Sequence, residues 1–348
     1  MLPAKAHAVI TQKTGPANEV LSFEEVPGPV LKPNSVVIKV AAASVNPVDF
    51  KFRAGNIAGM SPPKIAGGDV AGTIVASSVP TFAVGDRVFG RTKSWGAHQE
   101  YLVHDPSDGG LVKMAPSLPF EEAGGAAIVA LTAYYGLVNY GGLLPDKEFE
   151  AGKGPRVLIV GASGGVGHVA VQLAKRCLGA SFVVGVCSSK NAAFARQMGC
   201  DEVVEYDKEE FKQLDKLADL KPEWKGSFDV IYDTVGSDVF YHPLAPLLLR
   251  PGAPYTTAAV PVDGAGAKPV SLWSAVGMIG KVGYRTVLGA RPYRMVIPDN
   301  KEWTRIAGWI NEGKVKIHVQ EKIPLQEAAR AHDLVAGGRV VGKVVLVV

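Results

Sequence analysis

In this 348-residue sequence the run most suited to chemistry is Gly161-Ala162-Ser163-Gly164-Gly165-Val166-Gly167. Small residues let a backbone turn tightly and approach a pyrophosphate, whose charge is met by unpaired N–H groups at the start of a following helix. The apolar run Val157 to Val160 precedes the turn, and Val166, Ala170, Leu173, Ala174 and Cys177 recur after it at the spacing of one helix face. Strand, glycine turn and helix in that order predict a dinucleotide site. The same residues also spell G-x-S-x-G, the elbow that presents a nucleophilic serine, and Asp233 and His332 follow Ser163 in the order a hydrolase uses. Gly167 extends the dinucleotide pattern, however, and neither an HGGG-type loop nor a strand–helix repeat lies upstream.

Readers of NAD usually end the next strand on Asp or Glu, which holds the ribose 2′-hydroxyl. Here the strand SFVVGVC ends in Ser188-Ser189-Lys190. From Ala151 to Cys200 there is no acid, against the bases Lys153, Arg156, Lys175, Arg176, Lys190 and Arg196. That balance attracts a 2′-phosphate and predicts NADPH rather than NADH. Lys175, Arg176 and Arg196 read as solvated helix faces, and Lys190 as the phosphate contact.

The elements that must position this turn fall into two textures. Up to about residue 120, short β-type runs such as HAVIT, SVVIKVAAASV and GTIVASSV are punctuated by Pro and Gly, which predicts an irregular β domain. From about 155, strands alternate with amphipathic helices, which predicts a parallel sheet covered on both faces. After about 298 the pattern reads helix, strand, helix and a closing strand, VVGKVVLVV, with the texture of the first domain. An uncharged stretch from Ala123 to Pro145 is long enough to span a bilayer, but its five glycines and its Asn139 predict a buried interdomain helix instead.

Composition excludes several classes. With 47% apolar and 20% charged residues the chain is globular, and at this length it predicts about two domains. A net charge of +4, with no Lys/Arg run beyond two, leaves no nucleic-acid footprint. Cys177, Cys187 and Cys200 are too few for a disulfide framework or a four-Cys zinc lobe and read as buried thiols. The N-terminal residues lack the apolar core of a secretory signal, so a cytoplasmic or peripheral location is expected.

Several further motifs carry a resemblance. Asn46 to Asp49 (NPVD), Gly67 to Gly72 (GGDVAG), Val84 to Val88 (VGDRV), Gly96 to Tyr101 (GAHQEY), Ala130 to Tyr134 (ALTAY), the glycine turn and the closing Gly342-Lys343 occur in order along nearly the whole chain. Together they resemble the zinc-free quinone oxidoreductase branch of the medium-chain dehydrogenase/reductases. In texture the chain looks nearest to chloroplast-envelope quinone oxidoreductase homologues and alkenal/one oxidoreductases, with trans-acting enoyl reductases further off. The resemblance implies a GroES-like, mostly β catalytic domain (residues 1–126 and 299–348) and a Rossmann doubly wound parallel-sheet domain (127–298), with the site between them. It also implies NADPH-dependent reduction of a quinone or of the C=C bond of an α,β-unsaturated carbonyl. Zinc-dependent members carry a ligand Cys where this chain has Asn46 and a Gly-His-Glu where it has Gly67-Gly68-Asp69, so no metal is expected.

By the same matching, Lys51 and Thr132 orient the carbonyl and cofactor, and Asn46 shapes its turn and contacts the nicotinamide. Lys51 as a surface charge and Thr132 as a helix residue bonding its own backbone remain open. Ser163, Gly164, Gly165 and Val166 are expected on the pyrophosphate, and Ser188, Lys190 and Tyr206 on the adenosine phosphate. Val235, Gly236, Thr257 and Ala258 are expected along the nicotinamide, with Lys343 a further cofactor contact. His98 and His168 read as bystanders, the latter on a polar helix face, and Asp49 as structural. Relatives carry a proton-donating tyrosine in the loop after Lys51; residues 53–60 here have none, so solvent is the expected proton source. Phe50, Ile57, Trp95 and the segment from Trp273 to Met295 are expected to line the substrate pocket. A small hydrophobic carbonyl or quinone substrate, a homodimer and possible peripheral association with a membrane complete the expectations. A nonenzymatic NADPH-binding protein is the rival of another class.

Overall fold

The computed structural model describes residues 1–55, 61–62, 64–209, 216–259, 272–289 and 292–348. Ile57 and most of the loop after Lys51 therefore lie outside the described residues, as do the side chains of Trp273 and Met278.

Two sheets organise the chain. The first runs in the order Val319–Pro324, Lys343–Val347, Val36–Val45, Asp69–Ser77, Arg87–Arg91 and Leu111–Lys113, with Tyr101–His104 also paired to Val36–Val45. The closing strand does return to the first domain, where Val344 lies opposite Val45 in an antiparallel pair. The second sheet is wholly parallel, in the order Glu202–Glu205, Phe182–Cys187, Arg156–Val160, Val230–Asp233, Tyr255–Thr257 and Tyr293–Met295. Its central strands are apolar runs because helices cover both faces. The strand order reverses between Arg156–Val160 and Val230–Asp233, and a ligand crevice opens at the carboxyl ends of strands at such a switch point.

The uncharged stretch is buried, though broken into pieces. Helices Phe120–Gly124 and Ala127–Tyr134 are followed by a wider turn, Tyr135–Asn139. One apolar core runs from Ala71 and Phe89 through Ala127, Ala130 and Leu131 to Val169 and Leu173, so this segment joins the two sheets. No described helix is long and apolar enough to cross a membrane.

Helix Gly165–Arg176 corrects the reading of His168. Its side chain is fully buried: Nδ1 lies 2.9 Å from the Gly164 carbonyl oxygen, and Nε2 accepts from the His318 N–H at 3.2 Å. Gln172, one turn on, donates to the Lys316 carbonyl at 2.8 Å and accepts from the Lys316 N–H at 3.0 Å. The face that periodicity marks as polar is thus roofed by residues 316–318.

Candidate active site

The dinucleotide turn leaves strand Arg156–Val160 and enters helix Gly165–Arg176 with Gly164 as its cap. A Cβ on Gly167 would stand 2.0 Å from the Gly161 carbonyl oxygen, so only glycine lets the helix close on the turn. Asn191, beyond the second strand, donates through Nδ2 to Ser163 Oγ at 3.1 Å and ties the turn to the neighbouring loop. Sequence reading missed this residue, which no motif marks.

At the end of that second strand Ser188 is buried, and Lys190 stands exposed with no ion pair among the described residues. The sheet brings an acid here that residues 151–200 lack. Asp207 accepts from the Ser189 N–H at 2.7 Å and from Ser189 Oγ at 2.9 Å. Tyr206, half exposed, precedes it. The positive balance read from one segment is therefore offset by a carboxylate in the turn that follows the next strand, Glu202–Glu205.

On the other side of the switch point, Asp233 gathers the backbone that follows it. Its carboxylate accepts from the N–H groups of Val235, Gly236 and Ser237 at 2.8, 2.9 and 2.6 Å and from the Tyr255 hydroxyl at 2.5 Å. Val235 is left 62% exposed at the carboxyl end of the sheet, an apolar surface of the kind a nicotinamide ring covers. Ala258, just past the neighbouring strand Tyr255–Thr257, is half-buried, and its N–H donates to the Asp233 carbonyl at 3.0 Å. Thr257 is buried, with its hydroxyl turned to the Ala259 carbonyl at 2.9 Å. The hydrolase reading fails here: Ser163 is bonded by Asn191, Asp233 holds its own loop, and His332 stacks edge-on against His98 in the catalytic domain with 5.7 Å between ring centroids.

A buried polar network joins these parts to the catalytic domain. Asn46 caps helix Pro47–Arg53, and its N–H donates to Asp49 Oδ2 at 2.7 Å. Asn46 Nδ2 donates to Asp69 Oδ2 at 2.9 Å and to Ser44 Oγ at 3.2 Å, while its Oδ1 accepts from Lys343 Nζ at 2.6 Å. Asp69 Oδ1 accepts from the Ile128 N–H at 2.7 Å, at the start of helix Ala127–Tyr134. One carboxylate therefore anchors the start of the helix that carries Thr132 and, through Asn46, the start of the helix that carries Lys51. Lys343 is 3% exposed and faces this network. Burial lowers its ammonium pKa, against the opposing pull of Asp69 and Asp49.

Lys51 is half-buried, and burial lowers its pKa from the ordinary lysine range. Thr132 Oγ1 donates to the Ile128 carbonyl at 2.6 Å, so the hydroxyl proton is committed within the helix and only lone pairs face outward. Phe50 is core, whereas half-buried Trp95 packs edge-on against Phe52 with 5.2 Å between ring centroids. Tyr293 is also core, stacked on Tyr255 rather than lining a pocket, while Tyr284 is exposed. Buried His98 lies beside the network, its Nε2 3.2 Å from the Ser44 carbonyl oxygen. The thiols of Cys177 and Cys187 are raised to about 11 and that of Cys200 to about 12, each chiefly by burial.

Comparison with known proteins agrees with this architecture. Residues 32–117 match the alcohol dehydrogenase GroES-like domain and residues 198–346 the zinc-binding dehydrogenase family. The chain is 33% identical to trans-enoyl reductase pgmF of Aspergillus terreus, over 91% of this chain and 87% of that protein. It is 31% identical to the chloroplastic NADPH-dependent alkenal/one oxidoreductase of Arabidopsis thaliana, over 94% of this chain and 76% of that one. Among solved structures it is similar to the quinone oxidoreductase from Coxiella burnetii, with a TM-score of 0.76, 25% identity and 99% of each chain covered. The chain belongs to the medium-chain dehydrogenase/reductase family, in its quinone oxidoreductase branch, and is an oxidoreductase. The trans-enoyl reductase, expected to be the more distant relative, is as near as the alkenal/one enzyme.

The zinc in the family's description does not fit this site. Asn46 and Gly68 bring an amide and no side chain where a zinc site needs ligands, and Lys343 places an ammonium 2.6 Å from Asn46 Oδ1 and 4.0 Å from Asp69 Oδ2. That fixed cation repels a second one. Among the described residues no group of three His, Cys, Asp or Glu side chains is arranged to hold a metal. A nicotinamide dinucleotide does fit, because the N–H groups of Ser163, Gly165 and Val166 at the helix start have no partner among the described residues and the glycines allow a close approach that a Cβ would obstruct.

Proposed function

We propose that this protein is an NADPH-dependent, metal-independent reductase of α,β-unsaturated carbonyls or quinones. One observation carries the reading: the cofactor turn, the Thr132 helix and the network that starts the Lys51 helix meet. A Cβ on Gly165 would lie 3.4 Å from both Lys343 Cδ and Val129 Cγ1. The bound cofactor supplies the hydride for the electron-poor carbon of the acceptor.

In this reading the N–H groups of Ser163, Gly165 and Val166 hold the pyrophosphate, with Gly164, whose own N–H donates to the Gly161 carbonyl at 3.0 Å, letting it approach the backbone, and Ser188, Lys190 and Tyr206 hold the adenosine phosphate. Lys190, exposed and without an ion pair among the described residues, supports NADPH over NADH; the chain's relative in Arabidopsis is itself described as NADPH-dependent. Val235, Gly236 and Ala258 flank the nicotinamide. Thr132 accepts a hydrogen bond there through the lone pairs its bond to Ile128 leaves free. Lys51 donates to the acceptor's carbonyl oxygen and stabilises the negative charge that grows on it. Asn46 positions the start of the Lys51 helix, and water protonates the α-carbon.

The same reading takes 1–126 with 299–348 and 127–298 as the two domains. It includes a homodimer, supported by the outer edge of strand Tyr293–Met295, which pairs with no other described strand. The working place is the cytoplasm or an organelle envelope surface, the latter suggested by a relative in Arabidopsis thaliana described as a chloroplast envelope quinone oxidoreductase homolog.

The test is NADPH oxidation by metal-free protein against a short enone and a simple quinone, with NADH and no-acceptor controls. Saturable turnover of the enone to the saturated ketone establishes alkene reduction, and turnover of quinone alone assigns quinone reduction. Binding of NADPH without turnover of either acceptor would overturn the reading and favour a nonenzymatic role.

A further inference from the structure

The resident charge of this site is not explained by cofactor binding. Lys343 was expected to touch the cofactor, yet its ammonium points away from solvent and is held by Asn46 Oδ1 at 2.6 Å, with the Val45 carbonyl at 3.5 Å. A buried lysine is costly unless its charge is compensated and bonded. Here the compensation is Asp69, whose carboxylate is itself fully buried and receives Ser44 Oγ at 2.6 Å, Asn46 Nδ2 at 2.9 Å and the Ile128 N–H at 2.7 Å. Asp49, His98 and His168 are the other titratable groups near this charge.

Lys343 is also tied to the cofactor turn from the opposite side. The Gly342 N–H donates to the Ser163 carbonyl at 2.9 Å, and the aliphatic stem of Lys343 packs at Gly165. A short path therefore runs from Ser163 and Gly165 through Gly342 and Lys343 to Asn46, then to Asp49 and the helix that presents Lys51. Each step is a hydrogen bond, a chain bond or a van der Waals contact.

We propose that Lys343 is a positioning residue, a built-in cation between Asn46 and the Asp69 carboxylate, which through Asn46 holds the Lys51 helix in register with the cofactor turn. The inference rests on the functional reading above. Its logic is electrostatic substitution: a metal would fix the catalytic domain's side chains by coordination, and the ammonium does so by a charge-assisted bond to Asn46 beside the Asp69 carboxylate. Because Lys343 is almost without exposure, it acts through Asn46 and not on the acceptor.

The experiment compares Lys343→Met, Lys343→Arg, Asn46→Leu and the Lys343→Met/Asn46→Leu double variant, each with NADPH bound. Amide hydrogen exchange is read over residues 47–53 and 165–176. Lys343→Met should speed exchange in residues 47–53 by about tenfold and leave residues 165–176 unchanged. In turnover, kcat should fall by about tenfold with the KM for NADPH within about twofold, and Lys343→Arg should recover part of the loss. The double variant should be no worse than Lys343→Met, because both remove one link.

Unchanged exchange and kcat in Lys343→Met, equal acceleration of both segments, or strictly additive losses in the double variant would each overturn the proposal. If Lys343→Met fails to fold, Asn46→Leu keeps the charge, removes its acceptor and carries the same comparison. Exchange needs no acceptor. Absence of turnover by the unsubstituted protein would count against the functional reading and leave exchange to decide the role of Lys343.

Discussion

The Tyr232 hydroxyl donates to the Thr132 carbonyl oxygen at 2.8 Å, joining the parallel sheet to the helix between the two sheets. A Cβ on Gly136, one turn beyond Thr132, would come within 2.3 Å of the Tyr232 ring, so glycine there makes the approach possible. Burial raises the phenol's pKa well above its usual value and keeps it a donor at every working pH. Tyr232→Phe keeps the ring and removes the bond. Denaturant unfolding should show a loss of about 1 kcal/mol, the usual net worth of one such bond. The kcat should fall while the KM for NADPH holds, because Thr132 shifts relative to the nicotinamide side. A stability loss with unaltered kcat would reduce Tyr232 to packing.

Lys190→Glu tests the phosphate end. The exposed ammonium has no partner among the described residues, and Asp207 already sits on neighbouring Ser189. A second carboxylate there should raise the KM for NADPH by the equivalent of about 1–3 kcal/mol and affect NADH far less. Steady-state kinetics with both cofactors decides it, and equal losses would remove Lys190 from the phosphate site.

These two cases show how much could be read from sequence. The glycine turn was legible because its chemistry is local: strand, turn and helix are contiguous, and small residues at fixed offsets have one physical reason to be there. The return of Lys343–Val347 to the first sheet was legible from its texture. Asp207 was not, since it reaches Ser189 only through the pairing of strands Phe182–Cys187 and Glu202–Glu205. Nor was the bond from Lys343 to Asn46, which spans almost the whole chain and involves residue types common on surfaces. His168 misled for a related reason: helical periodicity reports which side faces the sheet, not whether a distant segment such as 316–318 covers the other side.

That burial has a pH consequence. Desolvation lowers the His168 pKa from 6.5 to about 4, so the native state holds the ring neutral while the unfolded chain protonates it more readily. The sign follows: this contribution to stability is present above the unfolded pKa and is lost as pH falls toward 4, to a total on the order of 3 kcal/mol. Melting temperatures measured from pH 7.5 to 4.5 should fall less steeply for His168→Gln than for the unsubstituted protein, even if the variant starts lower. Parallel curves would mean that His168 takes up its proton as readily in the folded protein as in the unfolded chain, and that its burial does not lower its pKa.

Lys51 gives the opposite limb. Its half-buried ammonium has a lowered pKa because burial disfavours the charged form. If it donates to the acceptor's carbonyl oxygen, activity requires the protonated form and must decline as pH rises through that pKa, before the ordinary lysine range is reached. Lys51→Met fills similar space without the charge. The variant should lose kcat by about a hundredfold at neutral pH, with cofactor affinity nearly unchanged, and should also lose the alkaline decline, because no titrating donor remains. The decisive measurement is kcat against pH for both proteins. An alkaline limb that persists in Lys51→Met belongs to another group, and an unchanged kcat returns Lys51 to the role of a surface charge.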